Sequence, residues 1–339
     1  MNYDDLKKYL KTDNIDKNIY LLYGDEVFLK NHGKKELLSK ISPEEMQEFN
    51  IFTFEGKKYD LVSVKEAIEA LPVFSDTKLL LFNDSGIFQL TGKDAATKEY
   101  REFWEEIIDE IPQEVFIVFD ESKVDKRSGI FKKLTKKDSV VEFPYLSEEK
   151  MVSWTVGVFK TMGKVINVTD AKYLVEITQD GMSSVKREAE KIAAYTQGRT
   201  AVTRQDITDI TVPVVENRVF DMVDALLSKN APDALSMLND LLVLKEEETR
   251  ILGAISTNVD KLLTVKLMVD DRMDKSQIAS KIKIAPFIVG KYITLSSKHK
   301  VEDLKTLLSK CVETDRLFKL TRSDKAVLLQ TFIAEFAAK

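Results

Sequence analysis

The stretch Gly24-Asp25-Glu26-Val27-Phe28-Leu29-Lys30-Asn31 follows an apolar run and holds the residue types nearest to phosphate chemistry in this sequence. A phosphate-cradling loop has the form G-x-x-x-x-G-K-[ST]: the glycines let backbone N–H groups wrap the phosphates, the lysine meets their charge and the hydroxyl holds magnesium. Gly24 and Lys30 fall at the outer glycine and the lysine, but Leu29 stands for the inner glycine and Asn31 for the hydroxyl. Leu29 puts bulk where backbone should wrap, and Asp25 and Glu26 set two negative charges beside a helix N-terminus that would have to accept a triphosphate. The loop is degenerate and is expected to bind no nucleotide. Two further apolar runs end in Asn83-Asp84 and Asp120-Glu121, where an ATPase would keep its magnesium-holding acid. Without a working cradle these acids read as loop or helix caps.

Other chemistry is sparse. The run 125–137 carries Lys126, Arg127, Lys132, Lys133, Lys136 and Lys137, a possible phosphate contact or a solvated helix face. His32 and His299 are far apart, and the single cysteine, Cys311, lies twelve residues from His299, so no catalytic triad can be assembled. Trp104 and Trp154 read as core. The segment Leu71-Pro72-Val73-Phe74 is different: bulky apolar residues sit in a short link after a helical stripe, with Pro72 loosening the helix end. They either plug the local core or project as a wedge that a partner receives.

The elements that would position these residues follow from hydrophobic period. Runs at 18–24, 49–56, 78–84, 114–120 and 139–144 read as strands, the third and fourth apolar almost without alternation, as strands covered on both faces are. Helical stripes lie between them: Val64, Ala67, Ile68 and Leu71 before the third, and Phe103, Trp104, Ile107 and Ile108 before the fourth. Alternating strands and helices predict a mostly parallel sheet with helices on both faces. From Ser147, an N-cap followed by Glu148 and Glu149, three helices close at Gly163, Gly181 and Gly198. A short capped helix and a break near Pro213 follow. Six or seven amphipathic helices fill the remainder, with more apolar faces than one small core needs and no fixed-period repeat.

Composition narrows the classes. With 51 Lys and Arg against 56 Asp and Glu, net charge is -5, which gives no general affinity for a polyanion. At 44% hydrophobic residues the chain is too apolar to be disordered throughout. One cysteine and two histidines exclude a disulfide scaffold, a four-cysteine zinc site and a histidine-rich metal centre. No stretch approaches the length of a membrane span, and the charged N-terminus does not look like a secretory signal.

In their order and spacing, "IYLLYGDEVFLK", "LPVFSDTKLLLF", "VFIVFDESKVDKRSGIFKKL", "MSSVKREAEKIAAY" and "NRVFDMVDALLSKNAPDALSMLNDLL" resemble the delta-subunit family of the bacterial DNA polymerase III clamp loader. The resemblance spans essentially the whole chain. It implies an α/β AAA+-like parallel-sheet domain of the P-loop NTPase type at 1–144, a small three-helix lid domain at 145–212 and an all-α collar bundle at 213–339 for oligomerisation. It implies that the chain binds the sliding clamp (beta) and opens or holds open one ring interface for loading onto primed DNA, with no ATP hydrolysis, cofactor or metal of its own. The implied partners are the ATPase subunits (gamma/tau), delta prime and, in the assembled complex of the polymerase holoenzyme, primer-template DNA near the basic run. The implied location is the cytoplasm, at the replication fork, without membrane attachment. The family's clamp-contacting apolar pair aligns on Val73 and Phe74, with Leu71 and Pro72 setting the exit from the helix. Val73 is shorter than the leucine common in its slot. A divergent ATPase and a DNA-binding adaptor are the alternatives.

Overall fold

The structure is a computed structural model that describes residues 1–12, 15–41, 47–178, 181–211 and 215–337. The chain forms two compact units, Met1–Tyr145 and Leu146–Lys339. The first contains α1 (Tyr3–Tyr9), β1 (Ile19–Tyr23), α2 (Val27–Ile41), α3 (Gln47–Asn50), β2 (Ile51–Glu55), α4 (Leu61–Glu69), β3 (Lys78–Asn83), α5 (Lys98–Ile107), β4 (Val115–Glu121), α6 (Gly129–Lys136) and β5 (Val140–Glu142). All five strands pair in parallel in the order β2-β3-β4-β1-β5. Each coincides with one of the five apolar runs. β1 is buried along its whole length, and β3 and β4 are buried at all but one residue each, as inner strands covered on both faces must be. β2, at the sheet edge, is not.

One face of the sheet packs on an aromatic cluster. Phe82 and Phe119 stack at 5.1 Å between centroids, and Trp104 meets both edge-on at 4.9 Å while its indole N–H donates to Tyr59 Oη at 2.9 Å. The stripe on α4 buries Val64, Ala67 and Ile68, but the helix ends at Glu69 and the fourth member, Leu71, lies beyond it and is exposed.

The second unit opens with α7 (Glu148–Thr161), β6 (Val165–Ile166), α8 (Val168–Thr178), α9 (Met182–Tyr195), β7 (Ala201–Val202) and α10 (Arg204–Ile210). Ser147 caps α7 and a Thr203–Asp206 capping box starts α10, as the sequence pattern requires. The expected three helices are accompanied by two two-residue strands, β6 between α7 and α8 and β7 after α9, which pair in parallel and are too short to show a period in sequence. Trp154 is half-buried. The expected break near Pro213 and the boundary between 212 and 213 lie outside the described residues.

The rest of the unit is helical: α11 (Val215–Leu227), α12 (Ala231–Val243), α13 (Glu248–Asp270), α14 (Lys275–Ile282), α15 (Pro286–Ser297), α16 (Val301–Leu320) and α17 (Lys325–Ala337). α13 is the central helix, packed on α11, α15, α16 and α17. Its buried Ile251, Ile255, Val259 and Leu262 recur every three or four residues along one face. Among the described residues no helix is long and apolar enough to cross a membrane.

Candidate functional site

Ligands of open α/β sheets bind outside the carboxyl ends of the strands, where strand order reverses. Here the chain leaves β1 for the far edge strand β2 and returns to β4 beside β1, so the crevice lies at the ends of β1 and β4. The degenerate loop enters it stitched to the backbone after β5. Phe143 N–H donates to Tyr23 O at 2.8 Å and Glu26 N–H to Phe143 O at 3.0 Å. Gly24 is the residue that allows this approach: its φ is 138°, and a Cβ there would collide with the Phe143 backbone.

Protein groups fill the phosphate-handling positions of this crevice. Lys30 is buried; its Nζ lies 2.7 Å from Asp120 Oδ1 and donates to Glu121 O at 3.1 Å. Lys34, one helical turn on, reaches Asp120 Oδ2 at 2.9 Å and Asn83 Oδ1 at 2.8 Å, and Asn83 Nδ2 donates to Glu55 Oε1 at 2.6 Å. Burial opposes ionisation of Asp120, but the two lysines outweigh it and hold its carboxyl below the usual range. The side chain of Glu121 closes the turn after β3, accepting from Ser85 N–H at 2.9 Å, from Ser85 Oγ–H and from Gly86 N–H at 3.3 Å. Burial pushes Glu121 up to about 7 against those bonds, and burial likewise pushes Glu26 up to about 7. Leu29 is buried and Asn31 is exposed. Asp84 Oδ1 accepts from Ser122 N–H at 2.8 Å. The acids at both strand ends are thus bound to the fold itself.

The link after α4 has the opposite character. Leu71 is 78% exposed, Val73 46% and Phe74 87%, with Pro72 half-buried between them. Phe74 has φ 54°, the left-handed region that costs a non-glycine residue strain. Of the two readings open in sequence, a plug for the local core does not describe an exposed phenylalanine. The link is held from below. Asn50 Nδ2 donates to Val73 O and Val73 N–H donates to Asn50 Oδ1, both at 2.8 Å. Lys78 Nζ donates to Ala70 O at the end of α4. Asn50 and Lys78 are each 2% exposed. Sequence reasoning passed over both, because an asparagine before an apolar run and a lysine at the start of one look like turn and rim residues.

The basic run is largely neutralised. Lys126 pairs with Glu142 at 2.9 Å, Arg127 with Asp125 at 2.6 Å, and Lys133 and Lys137 with Asp109 at 2.9 and 2.7 Å. Lys132 and Lys136 are exposed and form no ion pair with the described residues. His32 lies 3.6 Å from Glu36, and Cys311 is buried, its thiol pushed up to about 12 by burial. Among the described residues no group of three or more His, Cys, Asp or Glu could hold a metal ion.

Two family models match this architecture: "DNA polymerase III, delta subunit" over residues 20–144, within the first unit, and "DNA polymerase III delta subunit, C-terminal domain" over 216–336, along the helical bundle. The chain belongs to the DNA polymerase III delta subunit family. A DNA polymerase III subunit delta of Bacillus subtilis is 24% identical over 321 residues, 94% of this chain and 92% of that protein. A probable delta subunit of Aquifex aeolicus is 23% identical over 326 residues, 94% of this chain and 90% of that one. The solved structure of a Bacillus subtilis DNA clamp loader delta protein superposes with a TM-score of 0.82 at 22% identity, covering 99% of this chain and 100% of that chain. The delta fold, an AAA+-like sheet domain followed by helical domains, is therefore the fold of this chain.

Proposed function

We propose that this chain acts as the delta subunit of a clamp loader, binding the sliding clamp and opening or holding open one interface of its ring, with Phe74 as the wedge. The observation that carries the wedge is a phenylalanine 87% exposed on a link whose neighbours are pinned by buried polar groups. Val73 adds a smaller apolar surface, and Leu71 and Pro72 set the direction in which the chain leaves α4. A ligand shifts a conformational equilibrium only by its difference in affinity for the two states. Ring opening therefore follows if the wedge fits the clamp better when the adjacent ring interface is distorted, and no ATP is consumed in that step. ATP hydrolysis is left to the gamma/tau subunits, since Lys30 here is committed to Asp120 and Glu121.

Assembly with those subunits and with delta prime is assigned to the collar, 213–339, behind the lid at 145–212. Part of its apolar surplus lies at one end of the bundle, while Leu267 and Val269, at the far end of α13, are exposed as well. Lys325 Nζ at the start of α17 lies 3.3 Å from Thr249 Oγ1 at the start of α13 and 5.6 Å from the Phe318 ring near the end of α16. Around this junction Val243, Leu244, Leu317, Leu320 and Val327 are exposed. Primer-template DNA in the assembled complex would meet Lys132 and Lys136. The place of work is the replication fork in the cytoplasm.

The test is surface plasmon resonance of the purified chain on immobilised clamp, without ATP or DNA. Phe74→Ala is expected to weaken binding at least about thirtyfold, the loss of a hot spot of about 2 kcal/mol. Val73→Ala is expected to cost less. Wild-type affinity in folded Phe74→Ala would remove the wedge from this surface.

A further inference from the structure

We propose that Asn50 is a positioning residue for clamp binding: its buried side-chain amide, together with the Lys78 ammonium, fixes the link that presents Phe74. The inference rests on the wedge reading of Phe74 and adds to it the part of the fold that holds the wedge ready. The primary amide of Asn50 uses one donor and one acceptor on the N–H and C=O of a single residue, Val73, at 2.8 Å each. That pair of bonds fixes the orientation of both peptide groups flanking Val73, the second of which leads directly into Phe74. Asn50 itself is buried, so an amide that loses Val73 is left as an unsatisfied buried polar group.

The anchors come from rigid ground. Asn50 immediately precedes β2 and Lys78 begins β3, and in the parallel register Ile51 faces Leu79, so the two residues stand side by side at the amino ends of paired strands. Lys78 Nζ holds Ala70 O at one end of the link, and Thr77 Oγ1 donates to Ile41 O at 3.2 Å near the other. Between these ties Phe74 keeps its left-handed backbone and its exposed ring. A loop ordered before binding does not lose that freedom on binding, and the saving appears as affinity. A purely structural Asn50 would instead lower stability without touching the energy of the Phe74 contact.

The measurement is a double-mutant cycle between positions 50 and 74, using the purified full chain, sliding clamp on a resonance surface, and thermal unfolding as a check. Asn50→Ala is expected to weaken clamp binding by about tenfold, the scale of losing one ordered contact's preorganisation. It is expected to add no comparable loss in a Phe74→Ala background, because there is no ring left to position. Asn50→Asp keeps the acceptor for Val73 N–H, sets a carboxylate against Val73 O and preserves the shape; it reads the same coupling if the alanine variant does not fold. A folded Asn50 variant with wild-type affinity, or one whose loss persists in full without the Phe74 ring, overturns the positioning role. If Phe74→Ala itself binds as the wild type does, the wedge reading fails; if Phe74→Ala binds weakly while both Asn50 variants bind normally, only the positioning role fails.

Discussion

The two ends of one parallel sheet have been put to opposite uses. At the carboxyl ends of β1 and β4, charged residues that would handle phosphate in an ATPase are turned inward: Lys30 and Lys34 share Asp120, and Glu121 caps a turn. At the amino ends of β2 and β3, buried polar residues hold an apolar link outward, with Phe74 almost fully exposed. At the first end the charged side chains brace the fold, each paired with another part of the same sheet domain. At the second, the proposed binding surface would be carried by apolar residues alone, on a backbone fixed by its neighbours.

Breaking the brace should have the largest effect on stability. Asp120→Ala leaves the buried Lys30 ammonium without its counter-charge, and loss of one partner of a buried pair costs about 3–5 kcal/mol. Urea unfolding should show that loss, while the folded fraction still binds clamp. Replacing both partners, Lys30→Met with Asp120→Leu, should recover most of it, since well-packed apolar pairs are often as stable as the ion pair they replace. A double variant no more stable than Asp120→Ala would contradict the brace.

Next in size is a dependence on pH. Glu26 and Glu121 have folded values raised to about 7 from 4.5, so the folded state binds protons more tightly than the unfolded chain. Their contribution is present in full below about 4.5, falls as pH rises through about 7, and is flat above that, at most about 3 kcal/mol for each group. Asp120, with a lowered value, works the other way and withdraws its stabilisation only as pH falls through its own folded value, below the ordinary aspartate range. Urea midpoints between pH 5 and 8 should therefore decline with pH, and Glu121→Gln should flatten part of that decline. An unchanged slope in Glu121→Gln would assign the dependence elsewhere.

The smallest effect sharpens the other side of the comparison. Phe74→Gly removes a strained side chain from a left-handed position at the cost of a more flexible unfolded chain, and the two nearly offset. Stability should stay level or rise by up to about 1 kcal/mol while clamp affinity collapses. A marked fall in melting temperature would mean that the ring supports the fold.

Much of this was legible in the sequence. The five apolar runs are the five strands, and the inner three, β3, β4 and β1, are the most apolar because they are covered on both faces. The departure from the phosphate-loop pattern is legible at Leu29 and Asn31 alone. What the sequence does not carry is where a polar side chain ends up: the partner of Lys30 comes from another strand, and the Asn50–Val73 bonds form only once α3 and the α4–β3 link are brought together. The α4 stripe misled for a local reason. Leu71 has the spacing of a core residue, but the helix stops at Glu69 and the chain turns it outward.

The most direct test of the central claim is photo-crosslinking. With the photoreactive analogue p-benzoylphenylalanine in place of Phe74, the purified full chain should crosslink to the sliding clamp without ATP or DNA, and excess unlabelled wild-type chain should suppress it. The same analogue in place of Lys132, on the exposed side of α6, should give no clamp crosslink. A clamp crosslink from position 132 and none from position 74, in chains that fold and bind, would contradict the account.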